Sequence, residues 1–202
     1  MIIRRISTLC LLVLMFLPID AQESHMIRVF FRYGSIPVEG FENHEYNEVG
    51  GLYGGHVSLG IDSTEIGFGD LHRIHLFSND KNRNSAFYRM PFQEFENEGR
   101  GKKYVTFLVP ITDEQYIKLK SILQDYIDRT PYDYAFFGMR CTSATYEILS
   151  QIGLFPVLTR NRNIISNFYP KLLRRKMFKL ASKNHFTIIS QGGRLSRIWE
   201  DD

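Results

Sequence analysis

Two cysteines occur in the 202-residue chain, Cys10 and Cys141, and the second stands where a thiol could do chemistry. Gly138, Met139 and Arg140 precede it, and a helix is predicted from about Arg140 to Ile152, closed by Gly153. A cysteine at the head of a helix meets free backbone N–H groups and the positive end of the helix dipole. Both stabilise a thiolate, and Arg140 next door adds to the effect. The same N–H groups could stabilise the oxyanion formed when a thiolate attacks a carbonyl. The alternative is a buried filler, but a structural cysteine is expected in mid-helix on the apolar face. Position therefore favours a reactive thiol.

A thiol nucleophile needs a base, and His56 is the candidate. It lies in Gly54-Gly55-His56-Val57-Ser58-Leu59-Gly60-Ile61, where two glycines at the head of a strand leave room for another chain or a ligand to approach. Alternation puts His56, Ser58 and Gly60 on one face and Val57, Leu59 and Ile61 on the other. This pattern suggests a cleft wall backed by core. A histidine merely satisfied at a strand end is the plainer reading of His56 alone. The long separation from Cys141 is no objection, because such pairs meet in space. Asp70, His72 and His75 form a D-x-H-x-x-H spacing that matches no strong zinc pattern, and His72 and His75 read as surface histidines. No metal or organic cofactor is implied.

The elements that must position these residues are legible in outline. Residues 26–33 (MIRVFFRY) read as a strand and 34–50 as a loop. His56–Ile61 and Glu65–Phe68 flank a polar turn at 62–64 and suit a hairpin. Residues 78–86 are polar and expected to be exposed, and Lys103–Val109 is another strand. Thr112 and Gln115 have capping-box spacing at the head of a helix whose apolar stripe includes Leu119, Ile122 and Leu123, and which ends at Pro131. Residues 170–183 (PKLLRRKMFKLASK) predict a basic amphipathic helix. It either packs its apolar side on the core or contacts an anionic membrane. A strand over 186–190 closes the chain. Strands and helices are segregated rather than alternating, which predicts an α+β domain over residues 23–202.

Residues 1–22 read as a signal peptide: Arg4 and Arg5, an apolar run over 6–17, then Pro18 and Ala21. The run is short for a membrane span, so the chain is expected to be exported, to the periplasm or outside the cell. Removal takes Arg4, Arg5 and Asp20, so the net charge of +3 becomes +2, and Cys141 is left as the sole cysteine. A lone cysteine in an exported protein has no internal disulfide partner. At 44% hydrophobic and 23% charged residues the composition argues against wholesale disorder. There is no nucleic-acid motif, and none is expected of an exported chain.

Three segments together resemble the permuted papain-like cysteine hydrolases, relatives of the NlpC-type cell-wall hydrolases in which the histidine strand precedes the cysteine helix. They are Gly55–Ile61 with Glu65–Gly69, then Val109–Gln115, then Tyr132–Thr142 with its aromatic approach to the cysteine, all within about residues 28–155. The resemblance implies an antiparallel sheet packed on helices, Cys141 as nucleophile, His56 as base, and Tyr134 lining the site near the oxyanion. It implies an amidase or peptidase acting on cell-wall or other peptides. Lipid acyl hydrolysis or acyl transfer at a membrane surface is an alternative, as is a binding module that keeps the fold without activity. The chain departs from many relatives in having Arg140 where they have Asn or Asp, and in carrying no polar third residue in Ile66-Gly67-Phe68-Gly69. A Cys–His dyad is therefore expected. Centring the hairpin turn on Ser63 places Asp70 opposite His56, where it could orient the ring.

Overall fold

The computed structural model describes residues 24–36 and 55–195. The segment 1–22 read as a signal peptide and most of the loop assigned to 34–50 lie outside the described residues. In chain order the elements are β1 (Ser24–Arg32), β2 (Ser35–Ile36), β3 (His56–Ile61), β4 (Thr64–Asp70), β5 (Ser85–Pro91), α1 (Phe92–Glu98), β6 (Tyr104–Thr112), α2 (Asp113–Asp128), α3 (Cys141–Gln151), α4 (Arg160–Ser166), α5 (Pro170–Asn184), β7 (Thr187–Gln191) and β8 (Arg194–Leu195). Six strands form one antiparallel sheet in the order β5-β4-β3-β1-β6-β7, and β2 pairs with β8 apart from it. The class is α+β, as the segregation of elements in the sequence predicts.

Alternation along each strand divides the sheet into two unlike faces. One carries Ile27, Val29, Phe31, Val57, Leu59, Ile61, Ile66, Phe68, Val105, Phe107, Val109 and Ile111, all buried in a single core with Leu119 and Leu123 of α2, Ala144, Ile148 and Leu149 of α3, and Leu173, Met177 and Ala181 of α5. Full burial of one Val, Ile, Leu or Phe contributes about 1.5–3 kcal/mol. This layer therefore dominates the stability of the fold and fixes α3 across β3 and β4. The capping box forms as predicted: Gln115 N–H donates to Thr112 Oγ1 at 3.3 Å and Thr112 N–H to Gln115 Oε1 at 3.0 Å. It adds about 1 kcal/mol to α2.

The other face is not the cleft wall that the small and polar residues suggested. Ser58 and Gly60 are buried because larger side chains lie flat over them. A Cβ on Gly60 would come within 2.7 Å of Glu65 Oε2 and collide with Arg28, and one on Gly67 would meet Tyr88 Cζ at 2.5 Å. Helix α1 covers part of this layer: the Arg28 guanidinium lies 4.0 Å from the Phe92 ring and that of Arg32 lies 3.9 Å from Phe95. Small residues here make room for polar neighbours, not for substrate.

Five elements have no counterpart in the sequence reading: β5, α1, α4 and the paired β2 and β8. The polar stretch 78–86 is exposed up to Arg83, but Ser85 is already buried at the start of β5. The helix over 170–183 does form, and its apolar side faces inward. Leu173 and Met177 are fully buried, Phe178 and Leu180 pack against the core, and Arg174 lies 3.8 Å over the Tyr33 ring. Lys176 Nζ donates to Ser166 O at 3.1 Å and to Asn167 Oδ1 at 2.6 Å. The core-packing alternative accounts for this helix, whose apolar side is already used.

Candidate active site

The sheet and α3 bring His56 and Cys141 together. His56 opens β3 opposite Arg32 of β1. Gly55, just before it, has φ +89°, and a Cβ there would overlap the Arg32 carbonyl oxygen, so only glycine lets β3 begin hard against β1. Cys141 is the first residue of α3 and is 4% exposed. The His56 side chain and the Val57 backbone N–H lie close enough to act on its thiol, and Tyr134 Oη donates to the sulfur from 3.9 Å. Three of the four site residues read from the sequence thus converge: Cys141, His56 and Tyr134.

The electrostatics favour a thiolate. Burial pushes the Cys141 thiol up, but the charge and hydrogen bond of His56, the Val57 N–H and the Arg140 charge together pull it down to about 6. Arg140 is the N-cap residue of α3 and has no side-chain acceptor to occupy the first N–H groups of the helix. Ser143 Oγ instead accepts from Arg140 N–H at 2.9 Å, pinning the cap backbone. The guanidinium is held in an aromatic cage, 3.6 Å from the Phe168 ring, 5.2 Å from Tyr169 and 5.6 Å from Phe136. The chain thus fixes a buried cation beside its thiol. Burial and the nearby Cys141 charge hold the Tyr134 phenol well above its ordinary value, so it remains a donor.

Asp70 is not placed to orient His56. Ser58 pairs with Gly67 and Ile61 with Thr64, so the register runs on to Gly69 opposite His56. The turn holds two residues, Asp62 and Ser63, rather than three, with Asp62 at φ +52°. That one-residue difference sends Asp70 to the opposite side of the sheet from the histidine. Tyr88 takes the position instead. It crosses from β5 over Gly67, and its Oη lies 3.1 Å from His56 Nε2 with the two rings nearly parallel. A phenol can donate to a neutral imidazole nitrogen or accept from an imidazolium, so it can hold the ring in both protonation states. The glycines of β4 were the signal: they mark a ring lying over the strand.

Beside this pair lies a buried carboxyl. Ser58 Oγ donates to Glu65 Oε1 at 2.6 Å, and burial raises Glu65 to about 7 against the opposing pull of Ser58, Arg28, Arg32 and His56.

On the far side of the cysteine, Asp133 is wholly buried. It accepts from Asn84 N–H at 2.9 Å on Oδ1, and on Oδ2 meets Asn79 N–H at 2.9 Å and His75 Nδ1 at 2.6 Å. His75 is therefore not simply a surface histidine but a tie between the loop 71–84 and the approach to Cys141; His72 is exposed. Among the described residues no group of three or more His, Cys, Asp or Glu is placed to hold a metal ion.

Comparisons with protein families, with characterised proteins and with solved structures yield no match to this chain.

Proposed function

We propose that this chain is an exported cysteine hydrolase on a permuted papain-like domain, cleaving an amide bond in a cell-wall or other peptide with Cys141 as nucleophile and His56 as base. The observation that carries the reading is a buried thiol at a helix N-terminus whose pKa is lowered by an imidazole from a strand far upstream. The thiolate attacks the carbonyl carbon, forming a C–S bond and an oxyanion. The Cys141 N–H and the Tyr134 hydroxyl are the donors available to it. Collapse breaks the bond to the leaving amine, which takes a proton from the His56 imidazolium. His56 then removes a proton from water as that water attacks the thioester, and Cys141 departs as thiolate.

The test is to trap the acyl-enzyme. Incubation with peptidoglycan fragments or a peptide amide library should leave an acyl adduct on Cys141, read by mass spectrometry after acid quench. Cys141→Ala should release no product. Turnover of phospholipid vesicles but not of peptides would move the reading to lipid acyl hydrolysis. Absence of both adduct and turnover would leave a binding module.

Tyr88 is a positioning residue in this scheme. Tyr88→Phe is expected to lower kcat about ten- to a hundredfold with KM little changed. The pH at which Cys141 becomes reactive should rise, while the unfolding free energy changes by less than about 1 kcal/mol. Gly67→Ala, whose methyl displaces the Tyr88 ring while the phenol itself is kept, should reproduce the same kinetic change. Unaltered pH profiles in both variants would remove Tyr88 from the mechanism.

A further inference from the structure

We propose that the tip formed by Leu76, Phe77 and Phe137 docks this protein on an anionic phospholipid surface. These three side chains are 58%, 66% and 53% exposed, an unusual cluster for a chain with a well-formed core elsewhere. They are held in place. The Phe77 and Phe137 rings stack with centroids 5.5 Å apart, and Phe136 and Phe137 N–H donate to the carbonyls of His75 and Leu76 at 2.7 and 2.9 Å. A Cβ on Gly138 would overlap Ser78 Oγ, so the loop and the turn press together at this point.

Charge identifies the occupant. Arg73, Lys81, Arg83 and Arg160 are exposed on the loop and at the head of α4, against the exposed carboxylates Asp70 and Asp80 and the partly buried Glu147 that faces Arg160. Asp80 is itself 3.9 Å from Arg83 Nε and 4.0 Å from Arg160 Nη1. An apolar aromatic tip with a cationic rim matches the boundary of an anionic bilayer, where rings enter the acyl region and cations stay with the headgroups. A second copy fits worse. A twofold contact would set each cationic rim against its counterpart, and three side chains fall short of the roughly 800 Å² per partner of a stable dimer. The tip ends four residues before Cys141, so docking would hold the thiol beside the lipid surface.

The proposal does not rest on the hydrolase reading, because binding needs no thiol. The full chain carrying Phe77→Trp, with Trp199→Phe to leave one indole, is mixed with vesicles of phosphatidylcholine and phosphatidylglycerol or of phosphatidylcholine alone. Emission should shift to the blue and be quenched by brominated acyl chains with the anionic vesicles, much less with the neutral ones. In sedimentation, Phe77→Ser with Phe137→Ser should bind anionic vesicles at least tenfold more weakly at unchanged melting temperature. Arg73→Glu with Lys81→Glu should also weaken binding, and Cys141→Ala should bind as the parent does. An unquenched indole, a serine variant that binds as well as the parent, or self-association that the serine variant relieves would overturn the proposal.

Discussion

Replacing His56 with alanine is expected to invert the pH profile of Cys141 alkylation rather than simply slow it. In the parent, the sulfur is ionised above about pH 6 because the His56 charge and hydrogen bond and the Val57 N–H outweigh burial. Without the imidazole the thiol should return to at least the ordinary value of about 8.5. At pH 6.5 the parent is then mostly thiolate and the variant about 1% thiolate. Nucleophilicity falls with pKa, at a Brønsted slope of about 0.4–0.5, so each ionised sulfur of the variant reacts roughly tenfold faster. The two effects cancel near pH 7.4, by the same slope. Iodoacetamide should modify the parent faster in mild acid and the variant faster at pH 9. The proposed hydrolysis, which would need the base as well as the thiolate, should fall about 10²–10⁴-fold at every pH. A parent midpoint at 8 or above, or a sulfur inert at all pH values, would show that the cysteine is packing and nothing more.

The pairing that this experiment tests was legible in the sequence, and the reason is local. A cysteine just before a helical stripe, and a histidine after two glycines at a strand head, each announce their own element. The shared core then forces the two elements together. The third residue was not legible in the same way. Finding it needed the register of a hairpin to better than one residue, and a turn of two residues instead of three exchanges one sheet face for the other. Strand β5, which supplies Tyr88, lies at the sheet edge and starts in a polar stretch, so Ser85-Ala86-Phe87-Tyr88-Arg89 gave weak alternation. The glycines at 67 and 69 carried the missing information in negative form, as places where a side chain from elsewhere must lie. The face holding Ser58 and Gly60 was misread as open for the same reason. Small residues mark a vacancy on their own strand, and only tertiary structure tells whether water, substrate or a long side chain such as Arg28 or Glu65 fills it. The Arg140 cage is similar: Phe136, Phe168 and Tyr169 are scattered along the chain and meet only after α4 and α5 have folded back.

Asp133 is where removal of a single group is expected to cost the most stability. Its carboxylate is wholly buried yet fully engaged by His75 and by the N–H groups of Asn79 and Asn84. Burial raises its pKa, but the two N–H groups and His75 together hold it below the usual carboxylate value. Asp133→Ala leaves two backbone donors and an imidazole facing a void, a loss of about 3–5 kcal/mol on the scale of broken buried pairs. Asp133→Asn should cost less, because it keeps an acceptor for one donor while its own NH₂ opposes the other. The sign of the pH dependence follows from the depressed pKa. This stabilisation is complete above the unfolded carboxylate value of 3.8 and is lost as pH falls through the lower folded one. Parent and alanine variant should therefore differ most in urea midpoint near pH 7 and converge in strong acid. Because the carboxylate ties residues 75–84 to the segment that leads into α3, loss of the tie should also open that loop to protease cleavage and slow Cys141 alkylation in mild acid. An alanine variant with the parent's midpoint at pH 7 would mean that the loop is held by its backbone contacts with Phe136 and Phe137, and that the buried carboxylate contributes nothing to seating the thiol.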